Sequence, residues 1–427
     1  MSDRTRIETL RRALPREGFF RDKEWRLSPQ AFALEPRIVE RIQRLGPALR
    51  SFQKACNQLY FLSGEFAWVS SLMDQGKPPS ILELGRHERW RTSLPSVIRP
   101  DLVLTETGVS ISEIDSLPGG IGLTAWLNEM YSSFGDTVIG GGDGMIKGFA
   151  AAFPNEDILI SKESSDYEPE MRWLGKKLHR SVHLTGEFTP GEIDSPINLY
   201  RFFELWDLDN VEHADEWLRQ ARMGDVTFTP PLKAFLEEKL WLALFWTPQL
   251  HGYWCDTLGA EVFDLLRECI PQGWVVDPSP LPPAAELPGL DIHSWEEARH
   301  FGGQARELVL KISGFSERGW GSRGVYVGHD LPHTAWGAAL DEALQSWPRN
   351  PFLLQRFHHA RVVTHPMWQE PGTSIEMQSR VRLCPYYFVP PESDDTQLGG
   401  VLATVCPADK KILHGMKDAM MLPCRPR

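Results

Sequence analysis

The residue types best suited to chemistry in this 427-residue chain fall into two widely separated groups. The first is Arg99, Asp101, Glu113 and Asp115, at spacings of two, twelve and two. Residues two apart on a strand point to one face, so Arg99 joins Asp101, and Glu113 joins Asp115. If the two strands pair through the turn around Gly108, three carboxylates and one guanidinium converge. Three carboxylates at close quarters repel unless a cation compensates them, and hard oxygen donors suit Mg²⁺ better than zinc. Pro118-Gly119-Gly120, soon after the second acidic pair, lets backbone approach a ligand closely. The same residues also fit a plain hairpin with its charges on the wet side, and the spacing leaves both readings open.

The second group is Lys311-Ile-Ser-Gly-Phe-Ser-Glu-Arg-Gly-Trp-Gly-Ser-Arg-Gly-Val325. A lysine ending an apolar strand precedes a loop with glycines at 314, 319, 321 and 324, which returns into another strand. Successive glycine N–H groups can point at phosphate oxygens, and the lysine and arginines add charge. The lysine precedes the glycines and no Gly-Lys-Ser/Thr follows, so this is not a Walker A loop. The loop leads into a strand, so it is not a Rossmann fingerprint. A glycine-rich hairpin turn accounts for it as readily.

Other constellations carry less. His358, His359 and His365 cluster, but without cysteine or acidic partners at metal-site spacing they read as packed or solvated histidines. A nucleophile elbow, Gly-x-Ser-x-Gly, is missing; Gly314-Phe-Ser316 comes nearest, with Gly319 one position late. Gly140 to Gly144 reads as a turn with no clear helix after it. Sixteen tryptophans suit core and cleft walls. The segment from Lys410 to Asp418 reads as solvated charge, with a substrate contact as the alternative.

The elements that must position these groups are partly legible. In the first ninety residues Pro36 suits a first helical position, Ile38, Val39, Ile42 and Leu45 follow at helical spacing, and Gly46-Pro47 is expected to end that run. Asp101–Thr105 and Val109–Asp115 alternate with period two, predicting a strand pair. A helix is expected over Leu123–Tyr131, a buried strand over Asp157–Ser161 and a helix over Glu168–Leu178, together an α/β unit. Leu232–Thr247 predicts one helix with Lys239 in its middle. Five prolines in Pro278–Pro288 mark a linker or exposed loop. Strands over Leu308–Ile312, Gly324–Val327, Phe352–Phe357, Arg380–Leu383 and Val401–Val405 predict an antiparallel sheet in the last third. The fold class is α/β, in the α+β sense.

Composition bounds the function. Asp and Glu number 57 against 45 Lys and Arg, a formal charge of −12, which argues against a nucleic-acid surface. With 42% hydrophobic residues the chain can build a core, and its length suggests two or three domains. The N-terminal residues lack an apolar signal region, and the longest apolar-rich stretch, Leu240–Trp246, is about a third of the roughly 20 residues a membrane span needs. A cytoplasmic protein without a membrane segment is expected. Six scattered cysteines read as reduced, mostly buried thiols.

An acidic strand pair followed much later by a lysine and a glycine loop resembles the circularly permuted ATP-grasp enzymes, in particular the glutathionylspermidine synthase-like group. That family's metal motif is Arg-x-Asp, about a dozen residues, then Glu-x-Asn and Pro. This chain is similar in Arg99-Pro-Asp101 and Glu113-Ile-Asp115-Ser-Leu-Pro118, with Asp115 where the family usually has Asn. The resemblance implies that Asp101, Glu113 and Asp115 hold Mg²⁺ and that Arg99 lies on the transferred phosphate. It implies that Lys311, Gly319, Gly321, Ser322 and Gly324 cover the ATP phosphates, that Lys239 is a second phosphate lysine, and that Gln355-Arg-Phe357 is the hinge strand offering backbone hydrogen bonds to adenine. Both sets would then serve one cleft.

The resemblance further implies an ATP-dependent carboxylate-amine ligase. A substrate carboxylate takes the γ-phosphate to give an acyl phosphate, and an amine displaces phosphate to form an amide or peptide bond. The partners are a small-molecule or peptide carboxylate and an amine. The expected division is a helical region over 1–90, metal-binding strands with a small α/β unit over 91–215, and a nucleotide-binding and lid region over 216–427. The alternative is a non-catalytic nucleotide-binding or scaffold protein that keeps the fold.

Overall fold

Fifteen strands are present among the residues that the computed structural model describes, 1–14, 25–188, 196–282, 285–319, 323–370, 372–413 and 418–427. Along the chain they are β1 (Phe32–Leu34), β2 (Val97–Leu104), β3 (Val109–Asp115), β4 (Asp157–Ile160), β5 (Val182–Leu184), β6 (Ile197–Phe202) and β7 (Val226–Thr229), then β8 (Gly273–Val276), β9 (Leu308–Ile312), β10 (Val325–Val327) and β11 (Phe352–Arg356). The last are β12 (Val363–Gln369), β13 (Thr373–Phe388), β14 (Gln397–Pro407) and β15 (Met420–Pro426). The chain divides into two compact units, each built from separated segments. One comprises Met1–Ser51, His87–Leu232 and His359–Arg427, the other Phe52–Arg86 and Lys233–His358.

The first unit holds two sheets. In the larger, the order is β1-β15-β14-β13-β2-β3, with β12 also paired to β13. The outer end of β13 is largely exposed where it pairs with β12, and its inner end is buried on both faces. Helices Ile121–Ser133 and Gly144–Ala152 pack against β14. Their close approach explains the glycines that read as a turn: a Cβ at Gly140 or Gly144 would lie 1.9 or 2.6 Å from the Gly399 carbonyl oxygen. A helix does follow that turn, beginning at Gly144, against the expectation of none. The smaller sheet, β5-β4-β6-β7, is parallel throughout. Parallel strands are covered on both faces, and Ile158, Leu159, Ile160, Leu199, Tyr200 and Phe202 are accordingly buried.

Helix Pro36–Tyr60 runs straight through Gly46-Pro47, which was expected to end it. An internal proline removes one helical hydrogen bond. Packing outweighs that loss: Ile38, Ile42, Leu45 and Leu49 are buried, the Tyr387 ring lies where a Gly46 side chain would be, and the Tyr387 hydroxyl donates to the Ile42 carbonyl.

In the second unit, β10-β9-β11-β8 form an antiparallel sheet. Leu308, Leu310, Ile312, Phe352 and Leu354 point to one face and pack with Trp336 and Leu340 of helix His333–Gln345. Period two therefore sends Lys311 and Gln355 to the other face. The five strands expected in the last third thus exist but are shared between two sheets, β9–β11 in the second unit and β13 and β14 in the first. The expected single helix over Leu232–Thr247 is also absent. A 3₁₀ turn, Ala234–Glu237, gives way to extended backbone at Glu238 and a short helix, Leu240–Leu244, with Lys239 at its start instead of mid-helix. Buried Glu238 is drawn out of helical geometry by three polar partners, taken up below.

No helix among the described residues is long and apolar enough to cross a membrane. All six cysteines are free, and all but Cys255 are buried.

Candidate functional site

Period two brings the acidic residues into register as expected. β2 and β3 pair antiparallel with Arg99 opposite Asp115 and Asp101 opposite Glu113, and a bulge follows between Asp101 and Leu102. Arg99 lies between two carboxylates. Its Nε is 3.1 Å from Asp101 Oδ1, its Nη2 is 3.0 Å from Asp115 Oδ2, and its Nη1 donates to the Gly119 carbonyl at 3.2 Å.

The neighbouring strand adds residues that sequence spacing did not single out. Arg382 donates from Nη1 to Asp101 Oδ2 at 2.9 Å, Cys384 Sγ donates to Asp101 Oδ1 at 3.4 Å, and Tyr386 donates its hydroxyl to the Gly119 carbonyl at 2.9 Å. All three lie on one face of β13, two residues apart. The alternation Arg380-Val-Arg382-Leu was a visible strand signal, but its pairing with β2 is not a local property.

Burial sets the charge states. Desolvation opposes the Arg99 charge, yet Asp101 and Asp115 outweigh it and hold the guanidinium well above its ordinary range. Arg382 is raised in the same way against the same desolvation, with Asp101 as its chief support. Burial pushes the Cys384 thiol up to about 12, helped by Asp101, so it is a neutral donor and not a nucleophile. Burial also pushes the Asp115 carboxyl up; Arg99 opposes this and Glu113 adds to it.

The turn after β3 is tightly built. A Cβ on Gly119 would lie 2.2 Å from the Tyr167 ring, and Gly120 has φ 85°, where glycine is favoured. Buried Glu170 accepts from the N–H groups of Gly120 and Leu123 at 2.7 and 3.2 Å, placing a carboxylate at the N-terminus of helix Ile121–Ser133.

The carboxylates do not form the expected three-ligand set. Among the described residues, Asp101, Glu113 and Asp115 are not a group whose oxygens all lie within 4.8 Å of one another. Asp101 Oδ2 already accepts from Arg382 and Oδ1 from Cys384, and Oδ1 is also ion-paired with Arg99. Half-buried Glu113 and Asp115 share a face and fit an ion held by one or two carboxylates plus ligand oxygens, the usual arrangement for Mg²⁺. They do not fit an all-protein cage.

The second unit carries the lysines and the glycine loop. Lys311 is buried and donates to Gln355 Oε1 at 3.1 Å, while Gln355 Nε2 is buried without a hydrogen-bond partner among the described residues. Lys239 donates to the Gly319 carbonyl at 2.6 Å. Gly324 is needed for packing, since its Cβ would lie 2.4 Å from the Ile312 side chain. Gly321 and Ser322 lie outside the described residues, as do 414–417 of the charged C-terminal segment.

The hinge expectation needs correction. The backbone N–H of Arg356 donates to the Gln272 carbonyl and that of Phe357 to the Glu307 carbonyl, so these donors are committed to the sheet. Phe357 instead offers its ring, on which His329 packs edge-on at 4.7 Å between centroids. Of the clustered histidines, His365 is buried beside Ser28 and against Phe32.

No protein-family model and no curated protein sequence matches the chain. Among solved structures it is similar to a glutathione synthetase-like effector, GSS30, from Globodera pallida in its apo form. That likeness has a TM-score of 0.53 at 13% identity and covers 94% of this chain and 90% of that one. A proposed gamma-glutamylcysteine synthetase from Methylobacillus flagellatus is more distant, with a TM-score of 0.39 at 11% identity and coverage of 84% and 87%. The first likeness shows a shared mixed α/β fold across nearly the whole chain.

Proposed function

We propose that this chain is an ATP-dependent carboxylate-amine ligase that forms an amide or peptide bond through an acyl phosphate. The observation that carries the reading is the pair of guanidiniums, Arg99 and Arg382, on the acidic strand pair. Both are held cationic; Arg382 Nε is buried without a hydrogen-bond partner among the described residues, and Arg99 Nε stands 3.1 Å from Asp101 Oδ1 as an ion pair without hydrogen-bond geometry. Buried N–H donors without acceptors are costly, and a planar guanidinium matches phosphate or carboxylate oxygens. The fold shared with a glutathione synthetase-like protein supports the same reading.

In this reading Arg99 and Arg382 orient the transferred phosphoryl group and the acyl phosphate. Glu113 and Asp115 hold Mg²⁺, which supplies charge neutralisation of the phosphates when bound. Lys239 and Lys311 bind phosphate oxygens, and Gln355 and Phe357 bind the base with the free amide donor and the ring. No side-chain nucleophile is required, which agrees with the neutral Cys384 thiol. Incubation with Mg-ATP and panels of acids and amines is expected to release ADP and phosphate only when both substrates are present. Absence of ATP binding by calorimetry would sink the proposal.

A second reading, a nucleotide-binding protein without catalysis, is favoured by one observation. Asp101 is satisfied by arginines and a thiol, so the acidic strand pair is largely compensated without a metal. ATP binding that is indifferent to Mg²⁺ and unaccompanied by turnover would select it.

A further inference from the structure

The first ninety residues contribute none of the site residues expected from the sequence, yet they place one charged group deep inside the second unit. Lys77 and Glu238 form an ion pair with each side chain only 3% exposed. The lysine also donates to the Met73 carbonyl at 2.6 Å, and its ammonium stands 5.4 Å from the centre of the Phe315 ring. The other Glu238 oxygen accepts from the Ser313 hydroxyl and, at 2.9 Å, from the Gly314 N–H. Ser313 Oγ in turn accepts from the Leu240 N–H at 3.3 Å. Gly314 must be glycine here, because a Cβ would lie 2.1 Å from the Glu237 carbonyl oxygen.

Ser313, Gly314 and Phe315 are the root of the glycine loop, the three residues that follow β9. Every one of them is held by Lys77, Glu238 or both. The residue after Glu238 is Lys239, whose ammonium holds the Gly319 carbonyl further round the same loop. One dipeptide therefore grips the loop at two points, and Lys77 fixes the dipeptide. A buried ion pair is a poor source of stability compared with apolar side chains of similar volume, but it fixes geometry because both charges must find their partners. The distorted backbone at Glu238, where a regular helix would otherwise run, is what allows both grips at once.

We infer that Lys77 and Glu238 are positioning residues for the glycine loop and for Lys239, acting through Ser313 and Gly314. This rests on the proposal that the loop covers nucleotide phosphates, but its physical core, anchoring of the loop, is testable without any nucleotide. The loop carries two trypsin sites, Arg318 and Arg323. In the nucleotide-free full chain, Ser313→Ala keeps the ion pair and deletes the hydroxyl that donates to Glu238 and accepts from the Leu240 N–H. Cleavage after Arg318 or Arg323, read by mass spectrometry of the fragments, is expected to accelerate about tenfold, the worth of one hydrogen bond to a charged group. Thermal unfolding of the same variant should shift little, which separates loop anchoring from general destabilisation.

Lys77→Met with Glu238→Leu replaces both charges with apolar groups, so it is expected to fold, and its loop should be cut faster still. If Ser313→Ala and the double variant are both cut at the wild-type rate while folded, the positioning role is wrong. Under turnover conditions the anchored geometry predicts a raised KM for ATP in Ser313→Ala with kcat changed less. If no ATP is turned over by the wild type, the ligase reading fails while the cleavage result still decides the anchor.

Discussion

The acidic strand pair of the first unit and the glycine loop of the second both present charge, but they hold it differently. Around Asp101, two guanidiniums and a thiol are buried against the carboxylate and, with half-buried Asp115, are held by contacts with one another. Around the loop, Arg318 pairs with Glu342 and Tyr326 while both ionic side chains remain 37% exposed. The same chemistry of arginine against carboxylate is therefore present at two dielectric extremes. In water-poor surroundings each charge depends on its partner, whereas at the surface solvent replaces a lost partner cheaply. The comparison predicts that the strand pair is rigid and intolerant, and that the loop is tolerant in stability while sensitive in geometry.

The largest effect should come from removing the shared carboxylate. Asp101→Asn leaves buried Arg99 with Asp115 alone and takes from Arg382 the carboxylate it pairs with, and breaking a buried pair in this way costs about 3–5 kcal/mol. Urea unfolding should show that loss, and a change below about 1 kcal/mol would mean that solvent reaches the cluster and that the contrast with the loop is false.

A neutral group in the same unit gives the next test. His365 is 5% exposed, and burial, the main cause, lowers its pKa from 6.5 to about 4, with Arg425 adding to the shift. The unfolded chain therefore binds a proton that the folded chain refuses between these values. This contribution to stability is fully present above pH 6.5 and is lost as pH falls toward 4, about 3 kcal/mol at most. His365→Asn should lose this pH dependence, so its unfolding free energy should differ from wild type by an amount that changes by up to about 3 kcal/mol over that window. A variant whose pH profile parallels wild type would show that His365 is hydrated.

Glu113 should separate function from fold. It is half-buried at the rim of the same strand pair, so Glu113→Gln is expected to change stability by no more than about 0.5 kcal/mol. If it holds Mg²⁺, turnover should fall by about a hundredfold or more. Retained activity with saturable Mg²⁺ dependence would move the ion to other ligands.

How much of this was legible is best judged residue by residue. The strand pair was readable because period two is local: Arg99, Asp101, Glu113 and Asp115 announce their faces within a few residues. Arg382 was not, although its own alternation was visible. Its partner Asp101 lies 281 positions away, and spacing carries no record of which strands become neighbours. Lys311 and Gln355 were each placed on strands, but only the β9-β11 register brings them into hydrogen-bond contact. Helix Pro36–Tyr60 and the break at Glu238 failed for opposite reasons. Packing carried one helix through a proline, and a buried carboxylate pulled another apart where propensity favoured it. The signal at Glu238 was a cluster of charges, Glu237-Glu238-Lys239, inside an otherwise apolar run.

The smallest expected effect completes the comparison from the loop side. Glu342→Gln removes the carboxylate that Arg318 and Tyr326 share, an arrangement that on paper mirrors Asp101 with its two arginines. Because Arg318 and Glu342 are each more than a third exposed, water takes the place of the lost partner, and the cost should stay within about 0.2–1 kcal/mol and shrink further in salt. Measured beside Asp101→Asn in low and high salt, the pair of variants should differ several-fold in unfolding free energy, with only the loop variant responding to ionic strength. Equal losses at both places would mean that burial does not distinguish the two regions. The loop's arginine would then have to be treated as part of the folded framework and not as a group held ready at its surface.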